Sequence, residues 1–215
     1  MYQELLSIIG LTVCVSGIAV ALASLIGIPL GAWLGLSQAP AKWIARTIVY
    51  TGMALPPVVV GLVLYILLSR SGPLATLGWL FTPQAMVLAQ MALALPFVAG
   101  ITMNAVEGVP RELRLQLRSL GASEAQLRWT VLHEARAGLM LAVLAAFGRS
   151  ISEVGAVLIV GGNIQGHTRV LTTAIVLETS KGEFAFALSL GGALLCIALV
   201  VNACVVWTQR GNPLP

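Results

Sequence analysis

The fold class this sequence predicts is an all-α protein that crosses a membrane about five times, and three observations predict it. Hydrophobic residues make up 58% of the chain and charged residues only 9%, with a mean hydropathy of +0.95, a composition with which no soluble domain could cover its own surface. Uncharged runs longer than the roughly 20 residues a spanning helix needs recur along it. The charge that exists is concentrated, five of the 12 Lys+Arg falling between Asn104 and Arg136. With no Asp and eight Glu, the net charge of +4 reflects basic loops rather than a nucleic-acid surface, and nucleic-acid binding is set aside. Cys14, Cys196 and Cys204 lie in apolar runs with no paired spacing, so they read as small buried hydrophobes.

Between Glu4 and Lys42 there is no charge, which predicts a first span over about residues 5–36, kinked or ended near Pro29 and Gly31. The n-region carries Glu4 and no basic residue ahead of a long apolar run, unlike a cleavable signal peptide. Lys42 and Arg46 follow, so the positive-inside rule puts the N-terminus outside and the 37–46 loop in the cytoplasm. A second span, about 47–68, contains Pro56 and Pro57; paired prolines remove backbone donors and force a bend, which hints at a pathway wall. The connection Arg70–Pro83 is rich in turn residues and aromatics and reads as an outer loop. A third span covers about 84–103.

The polar stretch 104–137 then reads as a cytoplasmic elbow of two short helices. Pro110 opens the first, Gly121 breaks the run, and Ser123 with Gln126 has the capping-box spacing that starts the second. Leu113, Leu117 and Leu120 fall on one face and Arg111, Arg114 and Arg118 on another. Two roles fit such an elbow: docking onto a partner, or lying on anionic headgroups.

A fourth span, about 138–160, carries Arg149 and Glu153, four apart and so able to pair on one helix face. Each would cost about 2.5–3.5 kcal/mol facing lipid at the bilayer centre, so both are expected to face protein or water, either holding the bundle as a pair or lining a polar path. Residues 161–184 read as an outer loop followed by a short helix over 170–177. A last span, about 184–207, with Arg210 as an inner anchor, completes five spans in one transmembrane domain, N-terminus out and C-terminus in.

No Gly-rich loop followed by Lys is present, so the chain has no grip for ATP phosphates, and it lacks HExxH, GxSxG and paired aspartates. It is not expected to be an enzyme. His133 and Glu134 are adjacent and do not share a helix face, so no metal site is expected. The polar groups are mainly donors: Arg169, Thr168, Thr172, Thr173, Asn163, Ser150, Ser152 and the Gly161 and Gly162 N–H groups. Donor-rich, acceptor-poor surroundings suit an oxyanion, although the polar outer loop of any transporter would look similar.

The elbow, with Arg118-Ser119-Leu120-Gly121-Ala122-Ser123 through Leu132 and then Gly138-Leu139, resembles the coupling loop of the membrane subunits of binding-protein-dependent ABC importers. Leu115-Gln116-Leu117 stands where that family usually has Glu-Ala-Ala. The stretches MALPPVVVGLVLYILLSRSGPL and RSISEVGAVLIVGGNIQGHTRVLTTAIVLETSKGEF are similar to the molybdate/tungstate branch, most of all to tungstate permeases. The resemblance implies a type I importer permease fold and a homodimer in the cytoplasmic (inner) membrane of a bacterium or archaeon. It also implies two separate ATP-binding cassette subunits that hold ATP and Mg, this chain binding no cofactor itself, and a periplasmic or extracellular oxyanion-binding protein. Arg111, Leu113, Arg114, Leu117, Arg118, Leu120, Gly121, Ala122 and Ser123 would couple to the ATPase. Pro56, Pro57, Arg149, Ser152, Glu153, Asn163, Thr168, Arg169, Thr172 and Thr173 would line the path. Of the rival classes, a secondary transporter calls for inverted repeats and more midplane ionisable groups, an intramembrane enzyme for a catalytic constellation, and an assembly subunit for no transport role.

Overall fold

The computed structural model describes residues 2–37 and 39–209, and the anchor expected at Arg210 lies outside them. Among the described residues the chain forms ten α-helices: α1 (Tyr2–Leu36), α2 (Lys42–Met53), α3 (Pro57–Leu68), α4 (Pro83–Glu107), α5 (Arg111–Ser119), α6 (Glu124–Glu134), α7 (Arg136–Ile151), α8 (Gly155–Gly161), α9 (Leu171–Ser180) and α10 (Phe184–Gln209). A 3₁₀ turn lies at Ala75–Leu77. Three helices are long and apolar enough to cross a membrane singly, within α1, α4 and α10, and two bent pairs, α2–α3 and α6–α7, bring the total to as many as five.

The bundle is organised around α4, which packs on α1 most extensively and also on α7, α2, α8 and α3. Small residues explain the α1–α4 approach. Gly27, Gly31 and Gly35 recur every fourth residue on α1, and α4 answers with Val98, Ala99 and Val106. A Cβ on Gly27 would lie 2.9 Å from Val98, and one on Gly31 would overlap the Ala99 carbonyl. Without a hydrophobic drive between helices in lipid, this close van der Waals fit is what holds two spans together. The expected end near Pro29 and Gly31 does not occur: α1 continues through both, and Gly31 serves packing. At 35 residues, α1 is about 52 Å long, more than the bilayer's full thickness of roughly 40–45 Å.

The second span departs further from expectation. Residues 42–46 are helical rather than loop, and α2 and α3 meet at 94° across Ala54–Pro56. The chain thus bends at the proline pair as expected, and it does so by a helix break: Pro57 sits at the first position of α3, where its missing N–H costs nothing. The fourth span is likewise interrupted: α7 ends at Ile151 and α8 restarts at Gly155. The cysteines differ too, all three being exposed on the single chain. Cys196 and Cys204 lie on α10, of whose apolar stretch only 11% is buried, so these small hydrophobes face outward from the bundle.

Ion pairs staple opposite ends. Glu107, at the end of α4, forms an ion pair with Lys42 Nζ at 2.7 Å and accepts from Arg46 at 2.8 Å. Glu4 lies 3.7 Å from Arg169 and accepts from Gln165 at 2.7 Å, which ties the start of α1 to the loop before α9.

Candidate functional site

Two regions gather the expected site residues. The first is the elbow. Pro110 precedes α5, and Gly121 adopts φ +76°, a left-handed conformation that lets the chain reverse. There the Gly121 N–H donates to the Arg118 carbonyl and the Ala122 N–H to the Leu117 carbonyl, both at 3.0 Å. Ser123 then forms the expected capping box: its N–H donates to Gln126 Oε1 at 2.8 Å, and its hydroxyl accepts from the Gln126 N–H at 3.3 Å. Leu127 and Val131 of α6 are buried with Val106, Val109 and Ala32, and Leu113 packs half-buried against them. The elbow is thereby fixed to the ends of α1 and α4.

The expected leucine face is split. Leu113 and Leu117 are half-buried, but α5 stops at Ser119 and Leu120 is 83% exposed; on α6, Trp129 is 74% exposed. The arginines gather on one side of the elbow, with Arg111, Arg118 and Arg128 exposed. Arg111, Arg114 and Arg118, with Arg128 from α6, line an open-sided cavity of about 720 Å³ together with the last turns of α1. Arg114 donates to the Val106 carbonyl, and Arg118 pairs with Glu124 at 3.3 Å.

The second region is where the two interrupted spans meet. A Cβ on Gly155 would lie 2.9 Å from Val58, one residue past Pro57, and one on Gly61 would lie 2.8 Å from Ala156. The proline turn and the α7–α8 gap are therefore packed on each other. Irregular backbone at membrane depth is tolerated only where protein or a watered cavity satisfies it. Leu55, Pro56 and Ser152 are exposed here on the single chain.

Arg149 and Glu153 do not pair. The helix ends between them, so the four-residue spacing no longer places them on one face. The Arg149 guanidinium stands 4.9 Å over the Phe97 ring, with its Nε buried and unpartnered among the described residues. Glu153, 7% exposed, accepts the Ala156 N–H at 3.1 Å and so serves the start of α8. Ser152 donates back to the Gly148 carbonyl at 2.9 Å.

The hydroxyls expected to face an oxyanion are committed to the backbone in this conformation. Thr168 donates to the Gly161 carbonyl at 2.6 Å, Thr172 to the Glu153 carbonyl at 2.9 Å and Thr173 to the Val170 carbonyl at 3.1 Å. Asn163 holds a positive φ of 52° and donates to the Thr173 carbonyl at 3.4 Å, while Arg169 is occupied with Glu4. These residues build the loop that closes the bundle at that end. Sequence reasoning missed Gln90, which donates to the Ser150 carbonyl at 3.0 Å and leaves its buried Oε1 without a partner among the described residues, and Thr102, buried with an unpartnered hydroxyl. Both lie within the third apolar run, where a lone polar residue was the only available signal.

A bundle of apolar helices with a polar elbow strapped to one end and two interrupted spans packed together defines a transport permease. The chain belongs to the family of binding-protein-dependent transport system inner membrane components, which it matches over residues 27–211. It is thus a multi-pass inner-membrane protein, the membrane component of such a system. Across 204 residues it is 45% identical to a probable anion ABC transporter permease protein of Haloferax volcanii, covering 93% of this chain and 88% of that protein. To the tungstate uptake system permease protein TupB of Peptoclostridium acidaminophilum it is 42% identical, covering 96% and 91%. Its fold is that of a chain of the MetNI methionine ABC transporter in an inward-facing conformation, with a TM-score of 0.83 at 20% identity, over 98% of this chain and 97% of that one.

Proposed function

We propose that this chain is the membrane subunit through which tungstate is imported, acting as a homodimer with two ATP-binding cassette subunits and an external oxyanion-binding protein. The observation that carries the cargo is the 42% identity to a tungstate uptake permease over nearly the full length of both chains. The elbow tip, Leu120 through Ser123, with Trp129 of α6, enters a cleft of each ATPase. Burying its exposed apolar side chains there transmits nucleotide-driven closure as a rigid-body movement. ATP and Mg reside in those partners. The elbow lies on the cytoplasmic side and the N-terminus outside, the disposition its five basic residues favour.

The path runs between the two copies past Pro56, Pro57, Ser152 and Arg149. Arg149 of each copy gives the path a positive bias rather than a tight anion site, so a dianion passes without being held, since tight binding in the path would stop release. Selection belongs to the binding protein.

The test is ATP hydrolysis by the reconstituted complex in liposomes, with the binding protein loaded with tungstate, molybdate or sulfate in turn. Stimulation by the tungstate-loaded protein alone is expected. Equal stimulation by molybdate would remove the tungstate assignment and leave an oxyanion importer; failure to associate with an ATPase would return the chain to the secondary-transporter class.

A further inference from the structure

The cavity beneath the elbow is lined by Arg111, Arg114 and Arg118, which are expected to couple to the ATPase, but not by the exposed tip proposed to enter its cleft. None of Leu120, Gly121, Ala122, Ser123 or Trp129 lines it. Among the described residues its polar lining is Arg111, Arg114, Arg118, Arg128 and Ser37, with Glu107 and Glu124 as the lining carboxylates. Both carboxylates are already engaged, Glu107 by Lys42 and Arg46, and Glu124 by Arg118. Arg111 and Arg128 make no side-chain hydrogen bond or ion pair among the described residues, and the buried Arg114 Nε has no partner there either. The wall therefore holds a surplus of positive charge with guanidinium donors unspent.

The α1 side of the lining is apolar up to Ser37. Pro29, Ala32, Trp33 and Leu36 are the final turns of α1, whose length carries it into the headgroup zone, and Trp33 is 62% exposed on the rim. A tryptophan at the end of a span beside arginines is the arrangement that anchors at a membrane interface. A volume of about 720 Å³ suits a phosphate headgroup with the first part of its glycerol backbone. We propose that this cavity binds the phosphodiester headgroup of an anionic phospholipid, with Arg111, Arg114 and Arg128 on the phosphate and Trp33 and Leu36 against the glycerol and upper acyl carbons. The bound lipid bridges the end of α1 to the elbow. Guanidinium groups match phosphate oxygens in geometry as well as charge.

The experiment takes the complete complex with its ATPase subunits, delipidated in neutral detergent, and counts retained lipid by native mass spectrometry after adding equal phosphatidylglycerol and phosphatidylcholine. The expected result is one phosphatidylglycerol per copy of this chain, retained in preference to phosphatidylcholine. Arg111→Gln/Arg128→Gln should reduce that preference roughly thirtyfold at low salt, while Arg70→Gln, remote from the cavity, should leave it intact. If the double variant does not assemble, Arg128→Gln alone carries the test with a loss of about fivefold. Equal retention of the two lipids, or an undiminished preference in the variants, would overturn the proposal. Retention of glycerol phosphate or free tungstate with no preference for phosphatidylglycerol would place a soluble anion in the cavity and overturn the lipid assignment, leaving the import reading untouched.

Discussion

Glu153 is a buried carboxylate whose work is local: it accepts the Ala156 N–H and thereby satisfies the restart of α8. Glu153→Gln keeps an acceptor oxygen at that place, whereas Glu153→Leu leaves a buried N–H unpaired, at a cost of about 1–3 kcal/mol. The melting midpoint of the purified complex should therefore stay near wild type for the first and fall for the second. Arg149 rests on Phe97 instead, so its contribution is separable. A double-mutant cycle on thermal stability with Arg149→Met and Glu153→Leu is expected to show coupling below about 0.5 kcal/mol; a larger value would reinstate an ion pair.

At the level of elements, two glycines matter for different reasons. Gly121 has open space around it but a φ of +76°, so a side chain there meets no neighbour and is opposed only by the backbone. Gly121→Asn should keep most of the complex yield and ATP coupling, Asn tolerating this conformation, while Gly121→Val should impair both by about 1–2 kcal/mol of strain in the turn. Gly31 has the reverse problem, an ordinary helical backbone pressed onto the Ala99 carbonyl. Gly31→Leu should force α1 from α4 and reduce membrane-inserted, protease-resistant chain severalfold, whereas Gly17→Leu, at a position with nothing within 4 Å, should not.

For the whole molecule, the two charge staples divide the chain into ends. Glu4 and the 163–169 loop share one, and Lys42, Glu107 and the elbow the other. In right-side-out vesicles carrying the cysteine-free chain without its ATPase, Gln165→Cys should react with a membrane-impermeant thiol reagent and Leu120→Cys only after permeabilisation. The opposite pattern would invert the topology. The outward faces of α3 and α10, with Val59, Leu62, Val63 and Ile66 on one and Leu188, Leu195 and Leu199 on the other, are exposed apolar surfaces, as are Leu25 on α1 and Trp43 and Ile48 on α2.

The sequence by itself determined the class, the approximate apolar segments and the elbow with its Gly121 turn and Ser123 cap. Those depend on composition, on runs of one polarity, and on hydrogen bonds between residues three to five apart. Only the tertiary structure decided what the polar residues do. Whether the Pro56–Pro57 pair bends a helix or separates two depends on what packs across it. The gap at Ser152–Val154 dissolved the spacing that paired Arg149 with Glu153, and the threonines after Gly161 were claimed by carbonyls of their own and neighbouring turns. The arginines of α5 face a cavity because α1, some 75 residues earlier, ends beside them. No local pattern contains that distance, since it is fixed by the glycine contacts that seat α1 on α4.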